Sequence, residues 1–227
     1  MKELQSNLYL EKRVKKTMYN EIGIIGEGSI IYVVMTVLAA YFLGNISPAI
    51  LIGRAKGVDI KKEGSGNAGT TNVLRVLGKK AAVATLLIDV LKGTFAVILG
   101  GILMGEQVAF YCVAAVFCGH VWPIFFGFKG GKGVATAFGA LMGLDYRIGL
   151  TALAVVIVGV LISKRMSFGS ILGAVTFPVI AWYFNPDFIY IGTVMAVLII
   201  IKHRANLGRL IRGEEPKIGH KKKEIEP

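Results

Sequence analysis

The chain has 227 residues, 54% of them hydrophobic and 18% charged, with a formal net charge of +12. Soluble domains usually carry about 45–50% apolar and about 25% charged residues. The apolar excess here lies in long uncharged runs, which excludes an ordinary soluble domain and points to an integral membrane protein. The cations fall between those runs, so membrane orientation and anionic ligands account for them better than nucleic acid does.

Residues 1–27 mix five Lys/Arg with four Glu. They show no cleavable signal pattern and are expected to be a charged tail, dispensable or lying ahead of a later start at Met18 or Met35. The first apolar run, residues 28–53, contains no charge and is long enough to cross a bilayer, with a bend expected at Pro48. A basic segment, 54–80, follows. Further apolar runs cover residues 81–104, 107–128, 133–144, 148–163, 166–184 and 188–201. Several fall short of the roughly 20 residues a full span prefers, and flanking Lys and Arg can snorkel to extend them. The run 133–144 is short enough to be re-entrant instead. The expectation is an all-α polytopic membrane protein of about seven transmembrane helices, with six or five as alternatives. It forms one domain, 28–215, followed by a basic tail, 216–227.

Loop charges give an orientation. Residues 54–80 carry seven Lys/Arg and the chain from Lys202 onward carries eight, whereas Glu106 and Asp187 stand in acidic or near-neutral loops. Seven spans place every basic loop on one side, which the positive-inside rule makes cytoplasmic, with the amino terminus outside. The charged amino-terminal residues run against that assignment. Cys112 and Cys118 lie six residues apart in one apolar run, which suits buried thiols and neither a disulfide nor a metal site.

Three polar, glycine-bearing segments then share the cytoplasmic side. Residues 128–136 read Phe-Lys-Gly-Gly-Lys-Gly-Val-Ala-Thr. Glycines let the backbone approach a ligand, and successive N–H groups in a turn or at a helix start can hold an anion. The spacing departs from the soluble phosphate loop, because Phe126 occupies its first glycine position and Gly133 follows the lysine. A glycine-rich membrane turn with two snorkelling lysines, Lys129 and Lys132, is the competing reading. Residues 61–75 contain Gly64, Gly66 and Gly69 in G-x-G-x-x-G spacing. A charged stretch precedes them where a dinucleotide fold needs a strand, and Asp89 lies inside an apolar run, so that reading fails. A turn rich in N–H and hydroxyl donors remains (Ser65, Asn67, Thr71), with Arg75 one helical turn beyond Thr71 and able to clamp a phosphate. In the third segment His203 and Asn206 share a helix face, and a basic helix on anionic lipid is the alternative. His120 at a span end is either a proton carrier or a structural hydrogen-bonding group. Asp89 and Lys92, at i and i+3 in an apolar run, are expected to pair.

In combination these segments resemble the membrane-integral bacterial glycerol-3-phosphate acyltransferases that use acyl-phosphate as donor. The matching pieces are residues 44–48 (GNISP), 64–72 (GSGNAGTTN), 89–93 (DVLKG), Gly119-His120 with 129–136 (KGGKGVAT), and 203–206 (HRAN) with Arg209-Leu210 and Gly213-Glu214. The match runs from about residue 35 to 215. Gly208 stands where the family pattern has a basic residue, and the first 30 or so residues have no counterpart. The resemblance implies seven spans in a bacterial cytoplasmic membrane and an active site on the cytoplasmic face. It implies transfer of a fatty acyl group from acyl-phosphate to glycerol 3-phosphate, without metal or cofactor. The implied partners are those two substrates, the bilayer and the upstream enzyme that makes acyl-phosphate. On this reading Ser65, Thr71 and the Gly130–Gly133 loop (Gly130, Gly131, Lys132, Gly133) take the donor phosphate, and Asn67 and Lys129 are further substrate-binding residues. Arg75, Lys132, His203 and Asn206 take glycerol 3-phosphate, with Ser170 a further contact. The donor phosphate itself receives the hydroxyl proton, and His120 is the alternative base. A transporter for a phosphorylated solute is the rival; it predicts internal repeats and midplane anion sites, and the sequence shows no repeat.

Overall fold

A computed structural model describes residues 29–218. The amino-terminal tail and most of the basic carboxy-terminal tail lie outside the described residues. All regular structure among the described residues is helical. The first apolar run forms α1 (Ser29–Asn45) and α2 (Pro48–Ala55). Pro48 starts α2 rather than bending a continuous helix; at this position its missing N–H costs no helical bond. Helix α3 (Thr70–Leu77) turns at Gly78 into α4 (Lys79–Met104), which turns at Gly105 into α5 (Glu106–Val121). Both glycines have φ of 83°, a conformation other residues rarely adopt. A 3-10 turn, Ile124–Phe126, leads to the glycine loop and α6 (Val134–Leu144). Asp145 ends α6 and caps α7 (Tyr146–Ser163), its carboxylate accepting the Arg147 N–H at 2.9 Å. Then follow α8 (Met166–Phe184), a 3-10 turn (Pro186–Phe188), α9 (Ile189–Lys202) and α10 (Arg204–Ile211).

Among the described residues, five helical stretches are long and apolar enough to cross a membrane, beginning with α1 and α2 taken together (Ile30–Ala55). A sixth arises if Pro186–Lys202 and Arg204–Ile211, bent by 59°, count as one. Helix α6 has 11 residues and is therefore only about 16 Å long, half of a ~30 Å hydrocarbon core.

The surface is apolar where a soluble protein would be polar. Ile102 is 71% exposed, Ile162 74% and Tyr190 82%, while Phe117, Phe188, Val113 and Ile148 fill the interior. That inversion fits lipid as the surrounding solvent. Helices touch through small residues. A Cβ on Gly44 of α1 would lie 2.9 Å from the Cα of Gly119 on α5, so the two backbones are in direct contact. Hydroxyls inside helices donate to the preceding turn, Thr85 to Ala81 at 2.8 Å and Thr94 to Val90 at 3.2 Å. No polar hydrogen is then left facing hydrocarbon at these sites.

Side-chain contacts define two ends. At one, Asn185 donates to Glu106 at 3.1 Å, and Arg147 lies 5.6 Å from the Phe184 ring. At the other, Lys61 donates to the Phe126 carbonyl at 2.8 Å, and the Ile218 N–H bonds to Lys164 at 2.8 Å. Helix α6 runs from the second end toward the first, packed on α4 with Gly93 against the Thr136–Ala140 backbone and Gly139 against Val90. Val90 lies eleven residues beyond Lys79 at the head of α4, about 16 Å along it. The loop that starts α6 is therefore sunk into the bundle.

Candidate functional site

The segment 60–72 is folded around one buried side chain. Asn72, 1% exposed in the first turn of α3, accepts the Ser65 N–H at 2.8 Å. Its amide donates to the carbonyls of Ile60 at 3.1 Å and Glu63 at 3.0 Å. Gly64 and Gly66, with φ of 61° and 68°, allow the reversal that this tether requires. The Ser65 and Arg75 side chains remain exposed, and Thr71 is half-buried. The segment meets the glycine loop at Ala68, whose carbonyl lies close against Gly131.

The glycine loop folds back along the end of α5. The N–H of Gly130 donates to Val121 and that of Gly131 to His120, each at 3.2 Å. This corrects the expectation that these two amides face an anion, because both are used internally. Their lack of a side chain serves close packing: a Cβ on Gly131 would strike the His120 ring. Beyond them, the N–H groups in the first turn of α6 have no intrahelical partner by position.

Lys132 reaches across to the third segment and donates to Asn206 Oδ1. The Asn206 amide donates to Glu215 Oε1 at 2.6 Å, and Ser167 donates to the same oxygen at 2.7 Å. Arg209 donates to the other carboxylate oxygen at 2.7 Å, and Arg165 to the Glu215 backbone carbonyl at 2.9 Å. His203, buried at the α9–α10 break, places Nδ1 2.8 Å from the Ile199 carbonyl. Burial pushes the Lys132 pKa down to about 8; the Glu215 carboxylate opposes that, while Arg209, Arg75 and Lys202 add to it. Burial alone would raise the Glu215 pKa. Hydrogen bonds from Ser167, Asn206 and Arg209 outweigh it and hold the carboxyl below its ordinary value.

Of the residues singled out from sequence, Lys132 bonds to Asn206 and lies within electrostatic reach of His203 and Arg75, while Gly130 and Gly131 pack against His120. Lys129 is exposed at the rim. Ser170 donates to Met166 at 2.9 Å within its own helix. Sequence reading missed Glu215, Ser167 and the tether made by Asn72. The signal for Glu215 was present: Glu214 and Glu215 are acids in an otherwise cationic stretch.

The model of one protein family, glycerol-3-phosphate acyltransferase, matches residues 34–213. A glycerol-3-phosphate acyltransferase of Thermoanaerobacter sp. (strain X514) is 45% identical over 193 residues, spanning 84% of this chain and 98% of the relative. One from Shewanella sediminis (strain HAW-EB3) is 43% identical over 189 residues, spanning 82% and 94%. Among solved structures, PlsY (YgiH), described as an integral membrane glycerol 3-phosphate acyltransferase, superposes in its glycerol 3-phosphate form with a TM-score of 0.79. That structure is 35% identical and covers 83% of this chain and 96% of its own. On the sequence match along nearly the whole length of these relatives, and on the shared helical architecture, the chain belongs to the glycerol-3-phosphate acyltransferase family.

Proposed function

We propose that the protein transfers a fatty acyl group from acyl-phosphate to glycerol 3-phosphate, releasing 1-acylglycerol 3-phosphate and phosphate. The reaction takes place on the cytoplasmic face of a bacterial inner membrane, within seven crossings that include α6. One observation carries the reading. Lys132, held by Asn206 and Glu215, stands at the sunken head of α6 among Arg75, Lys202 and Arg209. Two phosphorylated substrates need such a concentration of cations.

In the step, the glycerol hydroxyl oxygen bonds to the acyl carbonyl carbon, and the bond from that carbon to the phosphate oxygen breaks. The leaving phosphate takes the hydroxyl proton, so no protein base is required. A mixed anhydride already has a good leaving group, and catalysis then rests on alignment and charge stabilisation. Lys132, Gly133 and the start of α6, with Ser65, Asn67 and Thr71, receive the donor phosphate. Arg75, His203 and Asn206 receive the acceptor, and Lys132 bridges the two as charge develops.

The test is phosphate release by purified protein from palmitoyl-phosphate, with and without glycerol 3-phosphate. Release that requires glycerol 3-phosphate and equals the lysophosphatidate formed is the expected result. Turnover with acyl-CoA in place of acyl-phosphate removes the donor assignment. Inactivity of folded protein with either donor removes the reading as a whole.

A further inference from the structure

Three buried titratable groups lie beneath the glycine loop and have no part in the step above. Asp89 and Lys92 sit one turn apart on α4, and His120 is in the last turn of α5, with exposures of 1%, 6% and 6%. Lys92 Nζ lies 2.8 Å from Asp89 Oδ1 and donates to the carbonyls of Gly44 at 3.0 Å and Ile46 at 2.6 Å. Those two carbonyls belong to the break between α1 and α2. With His120 Nδ1 at 3.0 Å, four polar groups surround the ammonium. His120 Nδ1 lies 3.2 Å from the same Asp89 oxygen and 3.0 Å from Lys92 Nζ. Nε2 faces Gly131, where a Cβ would collide with it and come within 2.9 Å of the Ala68 carbonyl. The ring thus abuts the loop backbone, and Gly131 stands between Nε2 and the site.

We propose that Asp89, Lys92 and His120 form a positioning network that sets the depth of the Gly130–Gly133 loop, so that His120 acts on substrate only through that loop. The network links four pieces that meet nowhere else in sequence: the α1–α2 break, α4, the end of α5 and the head of α6. Buried charges inside a membrane protein are costly and persist where they are paired. Here the three side chains lie within 3.2 Å of one another, and the His120 ring abuts the loop. The inference rests on the reading that the loop seats the donor phosphate.

The experiment compares His120→Asn, Gly131→Ala and the double variant in detergent, varying palmitoyl-phosphate and glycerol 3-phosphate separately and following kcat across the neutral pH range. Asn keeps a donor near Asp89 but removes the bulk beneath Gly131; Ala pushes from the opposite side. Each single change is expected to raise KM for palmitoyl-phosphate about tenfold, the size of one misplaced polar contact. The acid limb of kcat stays where it is in wild type. The double variant is no worse than Gly131→Ala alone, because the vacated ring space accepts the new methyl. The proposal is overturned if His120→Asn abolishes the acid limb, which makes the ring a base acting directly beside Asp89, Lys92 and Lys202. It is equally overturned if the two defects multiply, or if His120→Asn matches wild type. A KM rise confined to glycerol 3-phosphate supports the network and removes only the donor assignment of the loop. Should His120→Asn fail to fold, His120→Gln carries the test. Its amide reaches the Nε2 position, so KM stays within about twofold of wild type, and an increase like that of Gly131→Ala overturns the proposal.

Discussion

Lys132 is the residue on which the site's charge converges. Its ammonium is partly buried and aimed by Asn206, and it feels the charges of Glu215, Arg209, Arg75 and Lys202. Lys132→Ala is expected to lower kcat by about 10²–10³, the usual effect of losing one preorganised donor to developing charge. Near-normal turnover in folded protein would remove it from the reacting centre. The same surroundings predict a pH effect. A lysine with its pKa lowered to about 8 is charged below that pH and loses its proton above it, so kcat/KM for glycerol 3-phosphate should fall as pH rises through about 8. Glu215 is the anion that opposes this lowering. Glu215→Gln therefore moves the alkaline limb to lower pH, whereas a purely structural role for Glu215 reduces amplitude without moving the limb.

The elements are held at their ends as much as along their lengths. Segment 60–72 carries little apolar surface and takes its shape from the three hydrogen bonds of Asn72. Asn72→Ala leaves backbone groups of Ser65, Ile60 and Glu63 without those partners and is expected to cost about 1–3 kcal/mol. Cys112 is buried and Cys118 half-buried, so a thiol-reactive dye followed through a thermal melt reports the loss as a midpoint lower by several degrees. An unchanged midpoint would show that the tether does not limit stability. The break at Ile46–Ser47 has a comparable logic. Its freed carbonyls, Gly44 and Ile46, are taken by Lys92, which is how an interrupted helix is tolerated within apolar surroundings.

At the scale of the whole molecule, basic loops gather at one end and Glu106, Asp145 and Asn185 at the other. Cytoplasmic placement of the basic end predicts that a membrane-impermeant maleimide labels Lys129→Cys in inverted vesicles and Asp187→Cys in right-side-out ones. The reverse pattern overturns the orientation. The sequence by itself determined that the chain is helical and lives in lipid, where its apolar runs lie, and to which family it belongs. Uncharged runs and segment composition are local properties, and the five motifs keep their order along the chain. Only the tertiary structure decided that Gly130 and Gly131 spend their N–H groups on α5, that Asp89 and Lys92 reach both His120 and the α1–α2 break, and that Glu215 returns to hold Asn206. These contacts cross from one element to another, and which donor meets which acceptor follows from how closely the elements pack, a property that no single segment contains.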